Sequence, residues 1–159
     1  MSLFGWLKKA PQEKKAEFVS PVTGKVIPIE QVEDETFASK ILGDGFAVEL
    51  TDGVVAAPFD AEVTAAFPTG HAYGLKRADG LECLIHIGLD TVELNGAGFD
   101  IKVKQGDQVK QGQVLVEVDL DCVHQAGKSL VSPIVFSSGA AFTLLEKDNA
   151  VRGEEIITL

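Results

Sequence analysis

Residues 72–88 read Ala72-Tyr73-Gly74-Leu75-Lys76-Arg77-Ala78-Asp79-Gly80-Leu81-Glu82-Cys83-Leu84-Ile85-His86-Ile87-Gly88. Two short apolar runs, 72–76 and 81–87, flank Asp79-Gly80, and an Asp-Gly pair supplies the positive φ that a tight hairpin turn needs. In the second run Leu81, Cys83, Ile85 and Ile87 fall on one face of a strand, and Glu82, Leu84 and His86 on the other. Burying the first set turns His86 outward onto an apolar-rimmed surface. Gly88 follows, where a missing side chain lets a partner or an anion approach the backbone.

The same pattern continues in both directions. Short apolar stretches cut by turn residues occur at 25–28, 46–50, 54–57, 62–67, 100–103, 114–119, 132–136 and 155–159, with Thr51-Asp52-Gly53 as a second hairpin turn. This spacing predicts an all-β antiparallel sandwich or barrel. Only residues 35–42 and 120–129 read as short helices. Two internal echoes stand out: Ser20-Pro21-Val22-Thr23-Gly24-Lys25-Val26 against Ala57-Pro58-Phe59-Asp60-Ala61-Glu62-Val63, and Val109-Lys110-Gln111-Gly112-Gln113-Val114-Leu115 against Val151-Arg152-Gly153-Glu154-Glu155-Ile156-Ile157. Two copies of one β unit, packed face to face, account for both.

A length of 159 residues suits one domain with a tail. The net charge is −10, from 24 acidic against 14 basic residues. That balance excludes the basic footprint of a nucleic-acid binder and favours basic protein partners. Residues 1–17 differ from the rest and read as a flexible amphipathic tail ahead of a domain at 18–159. Leu3, Phe4, Trp6 and Leu7 precede Pro11, and Lys8, Lys9, Lys14 and Lys15 outweigh Glu13. Such a tail can touch an anionic membrane surface. With no apolar run of 18 residues and no signal peptide, the expected location is the cytoplasm, peripheral to the membrane at most. Cys83 and Cys122 have neither metal spacing nor a disulfide framework.

His124 reads as a plain surface residue. His71 lies on the strand expected to pair with that of His86, so the two imidazoles can meet on one face, with Thr69 and Gly70 beside the first. Two histidines without another nucleophile suit phosphoryl transfer: a neutral imidazole attacks near pH 7, and its phosphoryl adduct is labile. The second imidazole can donate to phosphoryl oxygens, and Thr69 can fix a ring tautomer. The alternative is a zinc-dependent hydrolase using His71, His86 and Asp90 as ligands, since His86-Ile87-Gly88-Leu89-Asp90 is His-x-x-x-Asp. The segment 103–113 looks like a biotinyl or lipoyl carrier hairpin, but the modified lysine is missing from the matching place.

The chain resembles the glucose-type enzyme IIA components of the phosphoenolpyruvate-dependent sugar phosphotransferase system. The resemblance is carried by Phe37-Ala38-Ser39-Lys40-Ile41-Leu42-Gly43-Asp44-Gly45, Ala57-Pro58, Thr69-Gly70-His71, Gly96-Ala97-Gly98-Phe99 and, most specifically, Leu84-Ile85-His86-Ile87-Gly88-Leu89-Asp90-Thr91-Val92-Glu93-Leu94. It covers about residues 18–159.

The resemblance implies a phosphohistidine carrier for sugar uptake on an antiparallel β-sandwich with a duplicated motif. His86 would accept phosphate from the phosphocarrier protein HPr, as a tele-phosphohistidine. His71 would support the phosphoryl group, with Thr69 assisting. The group would pass to a cysteine of a sugar-specific IIB domain of a permease. Phe37, Ile41, Leu42, Phe67, Leu84 and Val92 would form a hydrophobic docking rim, and Asp34 and Asp90 would meet arginines on basic partners. The resemblance further implies a free-standing monomer with possible regulatory protein targets. No cofactor is required and no intrinsic metal is expected, though His71 and His86 are possible transient zinc ligands. Leu84 is smaller than the aromatic residue often found there, and 137–142 match only in outline.

Overall fold

The computed structural model describes residues 16–159, so most of the expected tail lies outside the described residues. Among the described residues thirteen strands, all paired antiparallel, form three sheets. The largest has eight strands in the order β12 (Asn149–Ala150), β1 (Gly24–Pro28), β2 (Asp44–Leu50), β10 (Val131–Phe136), β6 (Glu82–His86), β5 (Ala72–Lys76), β4 (Ala61–Ala66) and β8 (Gln108–Val109). A second has β3 (Val54–Ala56), β9 (Val114–Val118) and β7 (Phe99–Ile101), and a third pairs β11 (Thr143–Leu144) with β13 (Ile157–Thr158). One core joins them: Phe46, Tyr73, Ile85 and Ile134 of the large sheet share a cluster with Val55, Val116 and Ile157 of the others. The all-β sandwich expected from the sequence is the observed class.

The β5–β6 hairpin forms as its sequence dictates. Gly80 adopts φ 97°, Arg77 N–H donates to Leu81 O at 2.8 Å, and Leu81, Cys83, Ile85 and Ile87 are all buried. The second expected hairpin does not form. Residues 51–53 carry the chain from β2 to β3, which lie in different sheets. Gly53 is needed there for closeness rather than for φ, since a Cβ would sit 2.0 Å from Val118 O. Both helices are shorter than expected. The first, α1, spans Glu35–Ala38 and stops before Lys40, which turns left-handed at φ 64°. The second, α2, spans Leu120–Gln125 and is capped by Asp119, whose side chain accepts from Cys122 N at 3.2 Å.

The first echo is repeated residue for residue in the hydrogen bonds, and the second with its alignment shifted by one, Gly112 matching Gly153. Ser20 N donates to Glu154 O at 2.8 Å, and at the matching position Ala57 N donates to Gln113 O at 2.9 Å. Val26 N bonds Asp148 O at 2.9 Å where Val63 N bonds Asp107 O at 2.8 Å. The copies also exchange bonds: Val19 N reaches Pro58 O at 3.0 Å and Ala56 N reaches Pro21 O at 2.9 Å. This reciprocity is that of a two-fold axis, and the order of the large sheet is correspondingly symmetric about its central β10–β6 pair. The copies are thus joined through one continuous sheet as well as through the core that both share.

Candidate functional site

The hairpin brings the two histidines together. Ala72 pairs directly with His86 across β5 and β6, and one residue earlier Ile87 N donates to His71 O at 2.7 Å. The ring centroids are 5.1 Å apart with planes at 78°. A phenylalanine flanks each ring: Phe67 lies 5.2 Å from His71, and Phe37 lies 5.0 Å from His86. His71 is only 4% exposed, whereas His86 is half-buried. Their setting is therefore a pit rather than an open face.

Each ring is oriented through Nδ1. His86 Nδ1 lies 2.7 Å from Gly88 O. A carbonyl only accepts, so Nδ1 carries the proton and donates, leaving the lone pair on Nε2. His71 Nδ1 lies 2.6 Å from Thr69 Oγ1. Burial pushes His71 down to about 4, helped by the neighbouring charge of His86. Burial also lowers His86, while the Gly88 carbonyl and the fields of Asp34 and Asp90 push it back up. Both shifts favour the neutral imidazole.

Behind the rings lies a floor of buried hydroxyls absent from the sequence reading. Thr91 Oγ1 donates to Ile87 O at 2.5 Å, and Gly88 N donates to Ser132 Oγ at 3.0 Å. Gly88 adopts φ 71°, and a Cβ there would sit 2.6 Å from both Ser129 O and Thr91 Cγ2. The room expected for a partner or anion beside Gly88 is therefore filled by the protein itself. Ser132 had one legible signal: it is the only polar side chain in the run Val131-Ser132-Pro133-Ile134-Val135-Phe136.

Of the expected rim, Ile41 (77% exposed), Phe67 (45%) and Val92 (49%) are open to solvent, and Leu42 is also exposed. Phe37 is not part of that rim. It is buried in a second cluster with Ile29, Val32, Ala47, Leu89 and Val135, and the half-buried Leu84 packs against the same cluster. One face of Phe37 serves as a wall for His86. Asp34 caps α1, accepting from Thr36 N at 3.0 Å. Asp90 is exposed in the left-handed region at φ 58°. His124 is exposed at the end of α2.

The zinc-hydrolase reading fails on its donor set. Among the described residues no three His, Cys, Asp or Glu side chains gather as a metal site, so Asp90 does not complete a set with His71 and His86. Two imidazoles alone do not make a resident structural or catalytic zinc centre. Among the described residues no helix is long and apolar enough to cross a membrane.

Comparison with known proteins agrees with this geometry. Residues 16–142 match the family model of the phosphoenolpyruvate-dependent sugar phosphotransferase system, EIIA 1. Two relatives from Staphylococcus epidermidis strains RP62A and ATCC 12228, each described as the glucose-specific EIIA component of this system, are 43% identical over 136 residues. The match spans 86% of this chain and 81% of each relative. A solved structure, the glucose permease IIA from Mycoplasma capricolum, superimposes with a TM-score of 0.82 at 38% identity, covering 93% of this chain and 98% of that one. An antiparallel β-sandwich that pairs two neutral histidines at one pit, matched over most of its length, belongs to the EIIA type 1 family and is a phosphocarrier component of the sugar phosphotransferase system.

Proposed function

We propose that His86 Nε2 is the atom that carries the phosphoryl group, received from phospho-HPr and delivered to a cysteine of a sugar-specific IIB domain. The observation behind this is the His86 Nδ1–Gly88 O bond at 2.7 Å, which commits the ring's proton and leaves Nε2 free. In transfer, the Nε2 lone pair forms the new N–P bond while the donor's N–P bond breaks and its electron pair returns to the donor imidazole. The phosphorylated ring, still protonated at Nδ1, gains cationic character that Gly88 O and the carboxylates of Asp34 and Asp90 offset. On delivery the ring departs as neutral imidazole, a good leaving group.

His71 is the stabiliser. With Thr69 donating to Nδ1, its own proton sits on Nε2 and points toward the phosphoryl oxygens. A ring held neutral by burial acts through a fixed hydrogen bond, set in advance of the reaction. Ile41, Leu42, Phe67 and Val92 form the docking rim, and Asp34 and Asp90 attract basic partners. The relatives' description makes glucose the first sugar to test. The 1–17 tail, with its excess of lysines, would hold the otherwise cytoplasmic monomer near an anionic membrane. Zinc could bind the two histidines only when a partner supplies a further ligand.

The test is phosphoryl transfer from phosphoenolpyruvate through enzyme I and HPr, read by intact mass. Wild type should gain one phosphoryl group, His86→Ala none, and His71→Ala a group whose passage to IIB is slow. A phosphorylated His86→Ala would overturn the assignment.

A further inference from the structure

We infer that Ser132, with Thr91, is a positioning residue that sets the tautomer of His86 by clamping the Ile87–Gly88 peptide. Apart from Tyr73 and Cys83, which belong to the core cluster, four polar side chains are buried among the described residues: Ser20, His71, Thr91 and Ser132. Ser20 serves the duplicated seam, its backbone bonding Glu154 and Gly153. The other three converge on the phosphoryl site.

The clamp grips both ends of one peptide unit. Its carbonyl, on Ile87, accepts from Thr91 Oγ1 at 2.5 Å, and its N–H, on Gly88, donates to Ser132 Oγ at 3.0 Å. Ser132 also donates to Leu130 O at 3.0 Å, so its hydroxyl has a defined donor role and a defined acceptor role. Leu89 N donates to Ser129 O at 3.2 Å, just ahead of the strand that carries Ser132, and holds the following peptide. With neither peptide free to turn, Gly88 O is aimed at His86 Nδ1.

Thr91 and Ser132 are fully buried, beyond the reach of anything at the surface, so they act only through the Ile87–Gly88 peptide they hold. Burial also makes the arrangement sharp: a hydroxyl with no access to water has no alternative partner, and its loss leaves the Gly88 N–H unsatisfied. The Ile87–Gly88 peptide would then rotate to find an acceptor, turning Gly88 about its φ, straining the Leu89 N–Ser129 O bond of the next peptide and drawing Gly88 O off the ring. His86 would be free to place its proton on Nε2, the atom that must be bare to attack.

The inference rests on His86 being the acceptor, but its first readout does not. Ring 15N shifts of labelled protein at neutral pH report the tautomer without any partner. Wild type should show His86 protonated at Nδ1 alone. Ser132→Ala and Thr91→Val should show a mixture, with His71 unchanged, and Ser132→Thr should restore the single form. Phosphoryl uptake from phospho-HPr should fall roughly tenfold in the first two, the lower end of what losing an orienting partner costs a histidine ligand elsewhere. If either of the hydroxyl-deleted variants folds and keeps one Nδ1–H tautomer with wild-type uptake, the clamp is merely structural and the inference fails. Should neither fold, wild type decides: a mixed His86 tautomer, or fast exchange of the Gly88 amide, overturns it. Failure of wild type to take up phosphate would instead overturn the acceptor assignment and leave the tautomer result standing.

Discussion

His71 stands edge-on to His86, centroids 5.1 Å apart, and is tied to the same hairpin by the bond from Ile87 N to its own carbonyl at 2.7 Å. The spacing between the two rings is therefore fixed by the β-ladder, not by side-chain packing alone. Rigid placement of this kind is where most of the catalytic advantage of positioning arises.

Removing the Thr69 hydroxyl while keeping its shape, by Thr69→Val, leaves His71 Nδ1 without its partner at 2.6 Å. The expected result is a roughly tenfold slower passage of phosphate, comparable to other lost orienting bonds. Rapid-quench transfer to a IIB domain measures it. An unchanged rate would show that His71 holds its orientation unaided.

Acid should destabilise the protein through His71. Its folded value lies near 4 and its ordinary value near 6.5. The unfolded chain therefore binds the extra proton between those limits, and stability is lost as pH falls through that window. The full contribution is at most about 3 kcal/mol, at 1.36 kcal/mol per unit. Urea melts at pH 7 and pH 4.5 should differ less in His71→Gln than in wild type. Equal differences would mean that other groups carry the acid sensitivity.

Gly88 and Gly80 both have positive φ, at 71° and 97°, yet only Gly88 lacks space. A Cβ at Gly80 meets nothing within 4 Å, whereas one at Gly88 collides with Ser129 O at 2.6 Å. Gly80→Ala should cost about 1–2 kcal/mol from backbone conformation alone. Gly88→Ala adds a backbone collision and should cost about 3 kcal/mol or more. Chemical denaturation of the pair compares them directly, and equal costs would contradict the crowding described.

Ile41 and Phe37 separate docking from support. Ile41 is 77% exposed, so Ile41→Ala should alter stability by less than about 0.5 kcal/mol while raising the KM for HPr several-fold. Phe37 is 4% exposed, so Phe37→Ala should cost about 3–5 kcal/mol. Thermal melts beside transfer kinetics would reveal any mixing of the two roles.

The parts legible in the sequence were those with a local cause. The β5–β6 hairpin follows from alternation and one Asp-Gly pair, and the duplication follows from matched turn residues. The two-residue strands β8, β11 and β12 have no period to display and exist through distant partners. Phe37 was expected on the rim through the resemblance, beside Ile41 and Leu42, but the helix ends at Ala38 and the left-handed Lys40 follows, so Phe37 is buried while Ile41 and Leu42 are exposed. Ser132 lies 44 residues from the glycine it holds, a relation that only strand order creates. The hydroxyl of Thr69 beside His71 was readable, whereas the Gly88 carbonyl on His86 and the hydroxyls behind it were not.

The two-fold arrangement has a consequence for how the site came to be divided. In one copy of the repeated motif β4 leads to β5 through residues 67–71, which supply Phe67, Thr69 and His71. In the other, β1 leads to β2 through residues 29–43, which supply Asp34, Phe37, Ile41 and Leu42. Equivalent crossings thus carry different loads: a buried histidine with its hydroxyl in the shorter one, and two exposed apolar side chains over a buried phenylalanine in the longer. On the proposed roles, a change of partner can be written into Ile41 and Leu42 while His71 stays as it is.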